Sequence, residues 1–128
     1  MSIRVMIADD DAMVRRTVAN VLSRVGFDVC TAADGAAALK LAEIAPPDIA
    51  LVDLNMPQGG PALVSGLKAM YGEGIWVAVL SGEDLEEIRG FCLRAGADDV
   101  LVKPISPLEL RRRLIAAAPA GKTLPVAS

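Results

Sequence analysis

The chain contains no histidine, so it has no imidazole to carry a phosphoryl group, relay a proton or activate a serine or cysteine nucleophile. Aromatics are scarce: two Phe, one Tyr and a single Trp76, itself inside an apparent strand, leave little to stack on a flavin. The only two cysteines, Cys30 and Cys92, have neither metal-ligand spacing nor a disulfide framework, and each reads as a small buried residue in an apolar stretch. Positive charge is not in excess, with 13 Lys and Arg against 16 Asp and Glu. Direct binding to nucleic acid or to an anionic membrane is therefore not expected. No apolar run approaches the length of a membrane span, and a cytoplasmic protein is expected. What remains for chemistry is carboxylates, lysines, hydroxyls and a metal.

What is present is a regular alternation. At 128 residues the chain is long enough for one ordinary domain with a full core, and short β-like runs alternate with helix-like segments throughout. This is the pattern of βα units around a parallel sheet. Expected strands are Ile3 to Ala8, Asp28 to Thr31, Ile49 to Asp53, Trp76 to Leu80 and Asp99 to Val102; the third and fourth are apolar enough to be buried on both faces. Val14, Val18, Val21 and Val25 suggest the inner face of a first helix ended by Gly26. A second is expected from Gly35 to Ile44 before Pro46 and Pro47, and a third from Pro61 to Met70, closing near Gly72. The fourth should carry Glu83, Asp84, Glu86 and Glu87 in its first turn and stop at Gly96. In the fifth, Ser106 caps, Pro107 starts, and Leu110 and Leu114 lead to about Ala118. Residues 1–118 form the domain, and 119–128, with two prolines and a glycine, read as a flexible tail or the start of a linker.

The first apolar run ends in Asp9, Asp10 and Asp11, and the third ends in Asp53. In one parallel sheet these acids meet at the carboxyl edge, where open α/β folds place their sites. Like charges held that close repel unless a cation joins them, and oxygen ligands suit a hard divalent ion such as Mg²⁺. Ser81 and Lys103 directly follow the fourth and fifth strands, which brings a hydroxyl and a cation to the same edge. Each residue also has an ordinary explanation. Aspartates after a strand can be a solvated turn or a helix cap, Ser81 can cap the fourth helix with Asp84 in a variant capping box, and Lys103 can be a surface lysine. Asp53 is harder to dismiss, because a carboxylate ending so apolar a strand loses hydration without a partner in return.

Four pieces in order, Val5-Met-Ile-Ala-Asp-Asp-Asp11, Asp48-Ile-Ala-Leu-Val-Asp-Leu-Asn-Met-Pro57, Val79-Leu-Ser-Gly82 and Ala95-Gly-Ala-Asp-Asp-Val-Leu-Val-Lys-Pro104, resemble the receiver domain of two-component response regulators over residues 3 to about 118. The resemblance implies a doubly wound, five-stranded flavodoxin-like (βα)5 fold with strand order 2-1-3-4-5. It implies Asp53 as phospho-acceptor from a histidine kinase or histidine phosphotransfer protein, through an acyl phosphate. It also implies Mg²⁺ held by Asp10, by Asp9 through water, by Asp53 and by the backbone carbonyl of Asn55. Lys103 would pair with Asp53 or a phosphate oxygen, Ser81 would donate to the phosphate, and Pro104 would follow a cis peptide bond. Such a domain catalyses its own phosphorylation and slow dephosphorylation without being a conventional turnover enzyme. Its output would pass to a downstream protein or a C-terminal output domain, with the fourth helix, fifth strand and fifth helix as the switched surface and as the face of a homodimer.

Two departures stand out. Val100 occupies the position, three before the lysine, where the family usually carries a switch aromatic, which implies a muted or rerouted response through the loop after Ser81 and the fourth helix. Gln58-Gly59-Gly60-Pro61 replaces the usual loop after the acceptor. In the site that the resemblance implies, Asn55 and Glu83 would flank the path of a water attacking the acyl phosphate, and they are expected to tune its lifetime. Arg111, Arg112 and Arg113 read as a solvated helix face. The alternatives are a phosphorylation-independent pseudo-receiver that binds partners with the same fold, and a small phosphatase of the haloacid dehalogenase type. The latter lacks its second aspartate, because Asn55 stands two residues after Asp53.

Overall fold

The protein is described by a computed structural model covering residues 2–119, Gly121 and Lys122. Strands β1 (Arg4–Ala8), β2 (Asp28–Ala32), β3 (Ile49–Asp53), β4 (Trp76–Ser81) and β5 (Asp99–Val102) alternate with helices α1 (Ala12–Arg24), α2 (Gly35–Ile44), α3 (Gly60–Tyr71), α4 (Glu86–Arg94) and α5 (Pro107–Ala116). All strand pairs are parallel and the order is β2-β1-β3-β4-β5, as the resemblance implied. Part of the expected tail, residue 120 and residues 123–128, lies outside the described residues. Among the described residues no helix is long and apolar enough to cross a membrane.

The period-2 alternation of the strands sorts side chains onto two faces. Val5, Ile7, Ile49, Leu51, Ala78, Leu80 and Leu101 pack with Leu22 of α1 and Leu110 and Leu114 of α5. Met6, Ala8, Ala50, Val52, Val77, Val79 and Val100 pack on the other face with Ala38, Leu63, Leu67 and Cys92 of α2, α3 and α4. All five residues of β3 are buried, which fits its place at the centre of the sheet. Cys92 is fully buried and Cys30 half-buried; burial holds both free thiols above the ordinary cysteine range.

The structure corrects several local expectations. Leu22 is the fully buried anchor of α1, with Val18, Ala19 and Val25 beside it, so the inner face is turned from the valine stripe that includes Val14 and Val21. Asp11 is the N-cap of α1, its carboxylate accepting from the backbone N–H groups of Met13 and Val14 at 2.9 and 3.2 Å. Helix α4 begins at Glu86, so Glu83 and Asp84 precede it and Ser81 does not cap it. Instead the Ser81 hydroxyl accepts from the Glu83 N–H and donates to the Glu83 carbonyl, which ties Ser81 to Glu83 and leaves residues 82–85 outside the helix. Helix α5 stops at Ala116 rather than Ala118.

Away from the carboxyl edge, Lys68 of α3 bridges to Asp98 at 2.8 Å, and the same Asp98 oxygen accepts from the Val77 N–H at 2.8 Å. Asp98→Ala would leave a buried strand amide unpaired and a partly shielded ammonium without its carboxylate. A loss of about 2 kcal/mol in urea-unfolding stability is expected, and a change under about 0.5 kcal/mol would show that water replaces both bonds.

Candidate phosphoryl-acceptor and metal site

The register of the sheet decides which side chains meet. Ala8 pairs with Val52, so Asp9 and Asp53 emerge side by side where β1 and β3 end. Ser81 pairs with Val102, and the Lys103 N–H donates to the Ser81 carbonyl at 2.7 Å, so the hydroxyl and the ammonium flank the acids from β4 and β5. Asp9 and Asp53 are 1 and 7 % exposed, and Asp10 is open to solvent. One carboxylate oxygen from each of the three lies within 4.8 Å of the others.

So many like charges require a counter-charge, and Lys103 supplies one. Its Nζ donates to Asp53 Oδ1 at 3.0 Å and to Asp9 Oδ2 at 3.3 Å. Burial pulls the ammonium's pKa down, but the hydrogen bond it donates to Asp53, reinforced by the charges of both carboxylates, outweighs it, so Lys103 is held protonated above the ordinary lysine value. The ammonium sits as a stand-in cation among oxygen donors. This donor chemistry fits a hard divalent ion such as Mg²⁺: Asp9, Asp10 and Asp53 offer three carboxylate ligands. The Lys103–Pro104 peptide bond is cis.

The β1–α1 turn that presents the acids is closely tied. The Asp9 N–H donates to the Ala32 carbonyl, and Asp9 Oδ1 accepts from the Asp11 N–H at 2.9 Å. From one turn into α1, Arg15 Nη1 donates to the Asp9 carbonyl at 2.7 Å. Sequence reasoning missed this contact, because an arginine at that position reads as a solvated helix charge. Asn55 and Glu83 are both exposed on the loops bordering the site. The loop after Asp53 runs through Gln58, a non-glycine residue at φ 55°, and is tied to α2 by the Gly35 N–H, which donates to the Pro57 carbonyl at 2.9 Å.

Val100 is buried against the α2–α4 side of the sheet, and its carbonyl accepts from Arg89 of α4 at 3.2 Å. On the outer side of β5, Asp99 is paired with both Arg113 of α5 and Arg89 of α4. The arginine run of α5 is largely engaged within the chain: Arg113 also bonds Glu109 at 2.9 Å and Arg112 reaches the same carboxylate. Hydrogen bonding from Arg113 holds the Glu109 carboxyl below its usual range.

The family model described as "Response regulator receiver domain" matches residues 5–115. Among curated relatives, the transcriptional regulatory protein PrrA of Mycobacterium tuberculosis is 42 % identical over 112 residues, covering 87 % of this chain and 48 % of that protein. The probable transcriptional regulator ycf27 of Cyanophora paradoxa is 34 % identical over the same share of this chain and 46 % of its own length. The chain thus spans about half the length of the curated relatives it matches. Among solved structures, the chemotaxis protein CheY4 of Vibrio cholerae superposes with a TM-score of 0.87 at 30 % identity, covering 92 % of this chain and 100 % of that one.

Proposed function

The chain belongs to the response regulator receiver family of two-component signalling, and on that premise we propose that Asp53 accepts a phosphoryl group from a phosphohistidine on a partner kinase or phosphotransfer protein. The observation that carries this reading is the pair of buried carboxylates, Asp53 and Asp9, bridged by Lys103 at the carboxyl edge beside Asp10 and Ser81. An Asp53 oxygen attacks phosphorus, the P–N bond breaks, and its electron pair leaves with the imidazole, which takes up a proton. The product is an acyl phosphate on Asp53. Mg²⁺ held by Asp9, Asp10, Asp53 and the Asn55 carbonyl would neutralise charge on the phosphoryl oxygens. Lys103 swings from Asp53 to a phosphate oxygen while keeping Asp9 as its partner. The test is intact mass after incubation with acetyl phosphate: one phosphoryl group with magnesium and none with a chelator is the expected result, and equal labelling in both would overturn the metal requirement.

Ser81 can donate to the phosphate only by releasing the Glu83 carbonyl it now holds at 2.9 Å, so phosphorylation should loosen the segment at residues 82–85 and move α4. Val100 has no ring to swing inward, and the change should be confined to that segment and α4. Amide exchange with and without beryllofluoride and magnesium is expected to change at residues 82–94 and little in β5; a large change in β5 would refute this routing. Asn55 and Glu83 border the approach of water to the acyl phosphate. Changing both to alanine should alter its half-life by about tenfold, measured by loss of the phosphorylated mass, and an unchanged half-life would exclude them.

Output would pass through the face formed by α4, β5 and α5, with α4 as the part that moves, to a downstream target or an output domain, in keeping with relatives named as transcriptional regulators. A homodimer through the same face would exchange the internal pairs of Asp99 and Glu109 with Arg89 and Arg113 for contacts between copies. A cytoplasmic setting fits this exchange with a kinase. Val100 favours one second reading, a pseudo-receiver that binds partners without phosphate; absence of any adduct where a known receiver is labelled would select it.

A further inference from the structure

We infer that Arg15 is a positioning residue for the cation site, fixing the direction in which Asp10 is presented; the inference rests on the receiver reading above. The two neighbours of Asp10 are each anchored. Asp9 is held by Ala32, by Lys103 and by the Asp11 N–H, and Asp11 is spent as the cap of α1. Asp10 is exposed, and among the described residues its carboxylate makes no hydrogen bond, so the part of its placement that the protein fixes is the backbone from which the side chain departs. The peptide unit entering Asp10 carries the Asp9 carbonyl, and that carbonyl is the group Arg15 holds at 2.7 Å. Because the unit is planar, pinning its oxygen fixes the plane from which Asp10 departs.

Two effects of Arg15 oppose each other, and their signs separate the readings. Its guanidinium is a fixed positive charge near the acids, and as a mere charge it repels a divalent cation. As a positioning group it strengthens cation binding by holding a ligand in place, in the way that groups bonded to metal ligands generally do. Removing it therefore tightens magnesium in the first case and weakens magnesium in the second.

The experiment is calorimetric titration of the full chain with magnesium chloride for wild type, Arg15→Ala, Arg15→Lys and Asp10→Asn, with thermal midpoints taken in chelator. Arg15→Ala is expected to weaken magnesium about tenfold. Arg15→Lys, which keeps a donor of similar reach, should recover most of that loss, and the midpoints of both should stay within about 2 °C of wild type. Unchanged or tighter binding by Arg15→Ala overturns the inference, as does an equal loss in both variants accompanied by a large fall in midpoint. If Asp10→Asn binds like wild type, magnesium is not held at this cluster, and the receiver reading of the metal site fails before the role of Arg15 is reached.

Discussion

Asp53→Asn is expected to abolish the acyl phosphate, leaving less than about one hundredth of the wild-type adduct by intact mass under the same acetyl phosphate and magnesium. The carboxamide keeps the size of the carboxylate and can still accept from Lys103, but it has no anionic oxygen to attack phosphorus. The fold should survive. Three carboxylates with oxygens within 4.8 Å share one nearby ammonium, so neutralising one removes repulsion as well as an ion pair. At an effective dielectric near 20, either interaction at 4 Å is about 4 kcal/mol, and the two largely offset. Lys103 keeps Asp9 as a partner. Unfolding stability in chelator should therefore change by less than about 1 kcal/mol. An adduct persisting on the folded variant would place the acceptor elsewhere, with Asp9 and Asp10 as the next carboxylates to test.

The position of Asp53 is legible in the sequence because it obeys two rules at once. Ile49, Ala50, Leu51 and Val52 announce a central parallel strand, and the residue ending such a strand must lie at the edge where loops leave room for ligands. The same logic places Asp9 after Ala8 and Lys103 after Val102, and the register joins them. Capping and helix faces were less legible because they depend on what packs against the helix. Four valines suggest a stripe on α1, yet the sheet takes up Leu22, since the direction from which the core approaches a helix is a tertiary fact. Acids at residues 83 and 84 suit a first helical turn, yet the Ser81 hydroxyl captures the backbone of Glu83 and delays the helix to Glu86. Contacts between loops distant in sequence, such as those of Gly35 with Pro57 and Gln58, leave no periodic trace at all.

Gly35 supplies the largest structural effect expected of a single methyl group. It opens α2 behind the Asp34 cap, buried against the turn that follows β3. A Cβ built there would stand 1.5 Å from the Gln58 carbonyl oxygen and 2.4 Å from its carbon. Those atoms are backbone, held by a residue at φ 55° and by the bond from the Gly35 N–H to Pro57, so no side chain can rotate away to make room. Gly35→Ala must displace either the start of α2 or the loop carrying Asn55. A loss of about 3 kcal/mol by urea unfolding is expected, the upper range for overpacking, and it should come with slower labelling by acetyl phosphate because the loop and the acceptor move together. Gly82→Ala is the matching control. Gly82 lies between Ser81 and Glu83, as near to the chemistry in sequence, but a Cβ there meets nothing within 4 Å. If both substitutions prove equally mild, the loop after Asp53 yields freely and the tight seating of Gln58 on α2 does not hold the site in shape. If Gly35→Ala alone is damaging, the second helix helps to hold the loop that borders Asp53.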